Sequence, residues 1–328
     1  MTWHTKAIAV TFATLVSGTA LADASSAAHN LFANMNRSGM SFHNLNESDI
    51  LVSPTLVKGI YALTNRQGGF VTFTNEAGTL TGDSRRFEVM SSNGTGRRPL
   101  TPDEVKALRA EVMAAIDYDK LPKVTYGNGG GRRLVMFSAI DCGYCKRFED
   151  EMRKQARGLD STIYVVPSSL QPISQGGLQQ WQTVSRLWCA EDAGTAWRAF
   201  WTSGAIPQPR QCTFGDPQTA LRTRYNLSDI LSGVGVGIHG TPSVVREDGL
   251  VINNKTDMTT AYIVSTFGSA SAPSPGNPTP NWLASVDSGF QAQAVNGQPV
   301  APQGTQPAQR NGKVNLKEVL NLNKLFGK

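Results

Sequence analysis

Two cysteines stand three positions apart where a strand pattern gives way to a helix pattern. Residues 142–145 read Cys-Gly-Tyr-Cys, after an apolar run at 133–138 and before a charged segment at 146–157. Such a run is typical of a buried strand, and the charged segment indicates a helix. Two thiols at the start of a helix are typical of a redox site, because the unpaired N–H groups there stabilise a thiolate. Cys142 is therefore the predicted nucleophile, and Cys145 is the thiol predicted to resolve the mixed disulfide.

The neighbours of the pair are expected to tune the thiolate and to meet the substrate. Gly143 and Tyr144 occupy the tip of the loop between the two sulfurs. Asp141 is awkward, because a carboxylate beside Cys142 opposes a thiolate unless it points away or is neutralised. Lys146 and Arg147 are the nearest cations, although a solvated helix face is the simpler interpretation of both.

A site of this kind needs a second loop, with a cis proline, beside the sulfurs. Thr241-Pro242 is the candidate for that loop. The residues at 235–240 match the G-x-G-x-x-G pattern, but they lack the preceding strand and following helix of a nucleotide-binding fold. We therefore interpret them as the approach to Thr241-Pro242 and expect no cofactor.

The chain has four cysteines, and the remaining two are Cys189 and Cys212. Four thiols allow three pairings, of which the spacing favours Cys142–Cys145 with Cys189–Cys212. A zinc site needs four ligands, and the four histidines show no ligand spacing, so no metal is expected. Haem attachment needs a histidine where Lys146 stands. A purely structural Cys142–Cys145 bridge stays open, although a pair so close is strained and reducible.

The first 22 residues are typical of a secretory signal. Lys6 precedes an apolar run at 7–16, and Ala20-Leu21-Ala22 is a small-x-small cleavage site. The run is short for a membrane anchor, which is the alternative interpretation. Export implies an oxidising compartment, where disulfides persist. The formal net charge of +6 is scattered along the chain without a basic block, which disfavours nucleic-acid binding.

The rest of the chain divides by composition. Short β-prone runs between turn signals at 49–90 predict a small antiparallel sheet, too small to bury a core without a partner surface. Thr101 and Pro102 predict a helix start. Further helices are predicted near residues 28–35, 217–232 and 259–267, and residues 91–98 are predicted to be a polar linker. Seven of the 17 prolines lie in residues 269–312, which predicts a segment that does not pack. The predicted units are a signal peptide (1–22), an N-terminal domain (23–98), a linker helix (99–122), a redox domain (123–268), a Pro/Gly/Ser/Gln-rich linker (269–312) and a short amphipathic helix (313–328).

These motifs together resemble the bacterial periplasmic disulfide isomerases of the DsbC/DsbG type, in the family's own order. The resemblance covers about residues 45–267. The matching segments are Phe137–Lys146 around the thiol pair, Leu187–Asp192 around Cys189, Gly237–Val245 around Thr241-Pro242, and the sheet at 53–82 with the helix after it.

The resemblance implies a fold and a working arrangement. The expected fold is an α/β thioredoxin-like domain with a helical insertion, preceded by a small cystatin-like α+β dimerisation domain and a linker helix. The Pro-rich composition adds a disordered C-terminal tail, which is extra to the family. Two such chains form a V-shaped homodimer whose cleft binds unfolded protein in a chaperone-like manner. Thr241 offers backbone hydrogen bonds to substrate, Pro242 is cis, and Cys189 pairs with Cys212 as a structural disulfide. A membrane thiol reductant of the DsbD type keeps Cys142 and Cys145 reduced.

Three functions remain open at this point. The leading one is a periplasmic disulfide isomerase that rearranges wrong disulfides in exported proteins. A dithiol oxidase of similar fold is the nearest alternative. A non-enzymatic envelope assembly protein, docking through its tail, is the third. The departures from the family are Asp141, His239 and a tail of about 60 residues, and they bear on redox poise and clients.

Overall fold

The structure is a computed structural model that describes residues 19–90, 96–252, 258–268 and 282 of the 328-residue chain. The apolar run of the predicted signal peptide, the predicted terminal helix and most of the proline-rich segment lie outside these residues. The elements are, in order, α1 Thr19–Arg37, β1 Ile50–Pro54, β2 Ile60–Asn65, β3 Phe70–Asn75, β4 Leu80–Gly82, β5 Phe87–Met90, β6 Arg97–Pro99, α2 Pro102–Ala115, β7 Lys123–Tyr126, β8 Arg132–Ala139, α3 Gly143–Gln155, β9 Ser161–Ser168, α4 Leu178–Trp188, α5 Ala193–Ser203, α6 Pro217–Gly233, β10 Ser243–Arg246, β11 Val251–Ile252 and α7 Thr260–Ile263.

The first sheet is an antiparallel meander whose spatial order, β1 to β6, is its order in the sequence. Side chains alternate between its two faces, and both faces are covered. Along β2, Ile60 and Ala62 enter one apolar cluster, while Tyr61 and Leu63 enter another together with α1. The sequence predicted that this sheet needs a partner surface, and the chain itself supplies one on each face.

α1 is fixed to the turn between β3 and β4. The Asn34 side chain donates to the carbonyls of Ala77 and Gly78, each at 2.9 Å. Gly78 has a φ of 65°, and a Cβ there would lie 2.2 Å from the backbone nitrogen of Leu31. Only glycine suits a backbone approach this close.

The second sheet has the order β11-β10-β8-β9-β7, in which β8 and β9 are parallel and the other pairs are antiparallel. Along β8, Leu134 and Met136 enter a cluster with α3, α5 and α7. Val135 and Phe137 point the other way, into the cluster that α4 and α6 cover. The parallel pair is joined through α3, which places the start of that helix at the carboxyl end of β8.

One apolar core joins the two sheets. Phe87 of the first sheet and Phe137 of the second belong to the same buried cluster, to which α2 and α6 also contribute. Gly233 at the end of α6 meets the first sheet directly, because a Cβ there would lie 2.4 Å from the Asp83 carbonyl and 2.9 Å from the Phe87 ring. The first sheet therefore packs against the redox domain itself.

The structure changes several predicted boundaries. The short helix predicted near residues 28–35 is the longer α1. Residues 97–99, at the end of the polar linker predicted at 91–98, form the edge strand β6. The pairing of β6 with β5 needs no apolar pattern, so the sequence did not predict it. β7 was missed because its pairing with β9 is long-range. The helix predicted at 259–267 is one short α-helix followed by a π turn. The predicted capping of α2 by Thr101, with Pro102 first in the helix, is confirmed.

Trp282 corrects the expectation that the proline-rich segment does not pack. It lies half-buried against the shared core, and its indole nitrogen is 2.7 Å from the position of a Cβ on Gly59. No helix within the described ranges is long and apolar enough to span a bilayer.

Candidate active site

The two sulfurs of the motif occupy different positions in the first turn of α3. Cys142 is the N-cap residue, and its Sγ accepts from the N–H of Cys145 at 3.3 Å. The Cys145 Sγ accepts from the N–H of Ala139 at 3.4 Å. Both are free thiols, and Cys142 keeps 6% of its surface exposed while Cys145 keeps 0%. Cys142 is therefore the thiol that a substrate reaches first.

The cis-proline loop lies against the Cys142 sulfur. The Thr241-Pro242 peptide bond is cis, and the Cys142 thiol donates to the Thr241 carbonyl at 3.3 Å. β10 follows at once, and its first residue, Ser243, pairs with Phe137 of β8. Sheet pairing thus brings together two segments that are far apart in the sequence.

The environment separates the two thiols in acidity. Partial burial works to raise the pKa of Cys142, but donation from the Cys145 thiol, the Thr241 hydroxyl and the N–H groups of Cys145 and Tyr144 lowers that pKa below its ordinary value. Burial raises the pKa of Cys145 to about 12. The Thr241 hydroxyl has no partner among the described residues while Cys142 is a thiol, so we take its donation as one that forms with the thiolate.

Asp141 points away from the thiolate. Its carboxylate accepts from the Ser169 hydroxyl at 2.7 Å and from the N–H groups of Leu170 and Gln171 at 2.8 and 3.3 Å. These donors satisfy the charge and fix the loop after β9 beside the start of α3. The conflict with Cys142 expected from the sequence is thereby resolved by geometry.

The two cations nearest to the thiol pair interact with other side chains on the surface of α3. Lys146 pairs with Asp150 at 2.9 Å, and the Arg147 guanidinium lies 4.9 Å from the centre of the Tyr144 ring. Tyr144 is 63% exposed, and a Cβ on Gly143 would meet open space. The tip of the loop is therefore accessible, and its cations neither pair with Asp141 nor contact the sulfurs.

Three residues of α3 and α5 near the thiol pair were missed at the level of sequence. Glu149, one turn beyond Cys145, accepts from the Trp197 Nε1 at 2.8 Å, and burial raises its pKa to about 7. Trp201, one turn beyond Trp197 on α5, packs against the buried cluster formed by Ala139, Cys142 and Cys145. Cys145 and Glu149 on α3, like Trp197 and Trp201 on α5, are four positions apart and so share a helix face. This spacing is the signal that could have indicated the contact between the two helices.

Cys189 and Cys212 form a disulfide with Cα atoms 5.6 Å apart. The bond joins the end of α4 to the segment that precedes α6. Beside it, the Trp188 and Phe214 rings stack with centroids 4.5 Å apart. These contacts hold the end of α4 beside the segment that leads into α6. Among the described residues, no three His, Cys, Asp or Glu side chains are grouped as metal ligands.

Comparison with known proteins agrees with this geometry. A family model described as a thioredoxin-like domain matches residues 121–264. The thiol:disulfide interchange protein DsbC of Dickeya dadantii is 28% identical over 119 residues, covering 36% of this chain and 44% of that protein. A probable DsbC of Bordetella parapertussis is 28% identical over 156 residues, covering 46% of this chain and 49% of that protein. The chain thus spans about half the length of the curated relatives it matches.

Solved structures give two further likenesses. A disulfide interchange protein from Neisseria gonorrhoeae is 29% identical with a TM-score of 0.31, covering 41% of this chain and 85% of that one. A linker-deletion mutant of Proteus mirabilis ScsC is 17% identical with a TM-score of 0.30, covering 46% and 77%.

The mixed sheet, the thiol pair at a helix start and the family match define a thioredoxin-like domain. Within that class, the resemblance to thiol:disulfide interchange proteins of the DsbC type is confirmed.

Proposed function

We propose that this protein is a thiol–disulfide oxidoreductase and, more specifically, a disulfide isomerase of exported proteins. The observation that carries the proposal is the contrast between the two sulfurs. Cys142 keeps 6% of its surface exposed and has a lowered pKa, while Cys145 is fully buried with a pKa of about 12. The first is suited to attack, and the second stays protonated until a mixed disulfide has formed.

The reaction follows from these positions. The Cys142 thiolate attacks one sulfur of a substrate disulfide, which forms a mixed disulfide and releases the other substrate sulfur as a thiolate. The freed thiolate can attack a different disulfide in the same substrate and release a new substrate thiolate. When that thiolate attacks the substrate sulfur of the mixed disulfide, a rearranged substrate disulfide forms and Cys142 leaves as a thiolate. Alternatively, Cys145 loses its proton and attacks Cys142, so that the substrate leaves reduced and the pair becomes oxidised.

The loop at Thr241 supports the substrate during this exchange. Once a substrate sulfur has bonded to Cys142, the S–H that donated to the Thr241 carbonyl is gone, and that carbonyl can accept from a backbone N–H of the substrate. Pro242, Gly143 and Tyr144 complete the proposed substrate-binding residues. The exposed Tyr144 ring offers an apolar contact beside the sulfur.

The wider setting is proposed from the signal-like N-terminal sequence and from the resemblance to DsbC-type proteins. We propose that the protein works in the periplasm after its signal is removed near Ala22. We also propose that it forms a homodimer and that a membrane thiol reductant of the DsbD type keeps its thiol pair reduced. The first sheet, with α1, is the unit proposed to serve as the cystatin-like dimerisation domain, and α2 is the linker helix that joins it to the redox domain.

Refolding of scrambled ribonuclease tests the proposal. We expect the reduced protein to restore ribonuclease activity, and Cys142→Ala to abolish that effect, since no nucleophile remains. Lys154→Ala, an exposed change on the same helix, is the matched control, which keeps both sulfurs and the residues proposed to bind substrate. The isomerase assignment fails if the reduced protein has no effect, or if Cys142→Ala works as well as the wild type.

An oxidase is the second candidate, and the lowered pKa of Cys142 favours it. A stabilised thiolate favours the reduced form of the pair and so makes its disulfide a better oxidant. Thiol trapping in cells decides between the two functions. A largely reduced Cys142–Cys145 pair supports the isomerase, and a largely oxidised pair supports the oxidase.

A further inference from the structure

A single arginine of α2 reaches the end of α6. The Nε of Arg109 donates to the carbonyl of Val234 at 3.0 Å. Val234 follows the last turn of α6, where helix carbonyls lack partners within the helix and the dipole favours a cation. The contact therefore stabilises the exact point at which the chain leaves α6 for the cis-proline loop.

Two glycines make room for the same side chain. A Cβ on Gly235 would lie 2.8 Å from an Nη of Arg109, and a Cβ on Gly249 would lie 2.5 Å from its Cδ. Both glycines have a φ of 80°, a conformation that other residues rarely adopt. Gly235 opens the loop after α6, and Gly249 lies in the turn between β10 and β11.

Arg109 thus contacts both ends of one chain segment, residues 234–249. A Cβ on Gly249 would also lie 3.3 Å from Val236, which shows that the two ends of the segment lie side by side. The segment contains Thr241-Pro242 and β10. The Thr241 carbonyl, in the middle of this segment, accepts from the Cys142 thiol at 3.3 Å. A displacement of the two ends of the segment therefore moves a carbonyl that contacts the proposed nucleophile.

We propose that Arg109 is a positioning residue, through which α2 sets the place of the Thr241 carbonyl and hydroxyl relative to Cys142. This inference rests on the proposed exchange function and deepens it, because it assigns α2 a part in the active site beyond joining two domains. Arg109 acts through the loop, because its described contacts are with Val234, Gly235 and Gly249 and not with the sulfurs.

Arg109→Met is the first test. Methionine keeps an unbranched stem between the two glycines but removes the donor to Val234. In the exchange assay with a disulfide-bonded peptide, we expect KM to rise about threefold to tenfold, the range that one lost hydrogen bond spans, with kcat changed less than twofold. In a Cys145→Ser background, we expect the Cys142 pKa, read from thiolate absorbance, to rise by about half a unit.

Two further variants separate position from charge and from stability. Arg109→Lys keeps the charge without the Nε donor, and we expect it to shift the Cys142 pKa as Arg109→Met does. Lys106→Met, on an exposed face of the same helix, is the control and should change neither quantity. A purely structural role for Arg109 predicts a lower melting temperature with KM and the Cys142 pKa unchanged, and that result would overturn the proposal.

The thiolate titration needs no exchange activity, so it separates this inference from the proposed function. If the wild type catalyses no exchange but Arg109→Met still shifts the Cys142 pKa, the positioning role stands and the function fails. If the wild type is active and Arg109→Met matches it in both KM and pKa, the positioning role fails and the function stands.

Discussion

The two sheets of this protein differ in how their strands find their partners. In the first sheet every strand pairs with its neighbour in sequence, and the spatial order β1 to β6 is the chain order. In the second sheet β8 pairs with β9 on one side and with the distant β10 on the other. That arrangement brings a strand end, a helix start and the Thr241-Pro242 loop to one edge, where the thiol pair lies. A crossover topology therefore assembles this site from distant segments, whereas a meander places neighbours beside neighbours.

The sheets also share something that their topologies do not suggest. The cluster that contains Phe87 of the first sheet extends through α6 to Phe137 of the second. A contact of this kind couples the stability of the two sheets, and it makes a sharp test of whether they unfold as one unit.

Phe87→Ala has the largest expected effect. Phe87 is 2% exposed, stacks on Phe73 with centroids 6.3 Å apart and faces Gly233 of α6. We expect a loss of about 3–5 kcal/mol in the free energy of unfolding. Hydrogen exchange at amides of β2 and β8 should accelerate together. Leu31→Ala, buried on the opposite face of the first sheet, is the control that should accelerate exchange in β2 more than in β8.

Removing the Cys189–Cys212 disulfide is the next largest change. The bond closes a loop with a sequence separation of 23, so its loss costs about 3 kcal/mol in the chain-entropy model. Because the two sheets share a core, Cys189→Ala with Cys212→Ala should lower one common unfolding transition in denaturant. Two separate transitions, with the first sheet unaffected, would contradict the coupling.

Glu149 gives the second sheet a pH dependence of its own. Its folded-state pKa of about 7 lies above the ordinary value of 4.5, because burial disfavours the carboxylate. The folded protein then holds the proton more strongly, so this contribution is fully present below about pH 4.5 and is lost as the pH rises to about 7. The slope is at most about 1.4 kcal/mol per pH unit. Urea unfolding at several pH values in this range gives the free energy of unfolding as a function of pH. We expect that dependence on pH to be shallower for Glu149→Gln and unchanged for the control Glu151→Gln.

Thr241→Val has the smallest expected effect. Valine keeps the shape of the side chain but cannot donate to the Cys142 thiolate. We expect the Cys142 pKa to rise by about half a unit with little loss of stability, since the hydroxyl has no partner while Cys142 is a thiol. Thiolate absorbance measures this shift, and an unchanged pKa would show that the hydroxyl does not face the sulfur.

Local chemistry explains which features the sequence predicted well. The strand before the thiol pair, the helix after it, the cap at Thr101 and the start of α6 at Pro217 all depend on neighbouring residues. The small sheet was also predicted, because apolar runs and turn signals alternate within it. Its edge strand β6 was missed, since an edge strand paired on one side needs no apolar pattern.

The pattern of residues by itself located the candidate site, with two thiols at a helix start and a second loop with Thr241-Pro242, and it predicted the pairing of the two further cysteines. Only the tertiary structure decided what surrounds them. It turned Asp141 toward the loop at 169–171 and packed Trp201 against the cluster that holds the two thiols. It also paired Glu149 with Trp197 and bonded Arg109 to the start of the segment that carries the cis proline. The reason is physical: motifs depend on spacing along the chain, whereas these contacts join segments whose approach depends on the packing of the whole core.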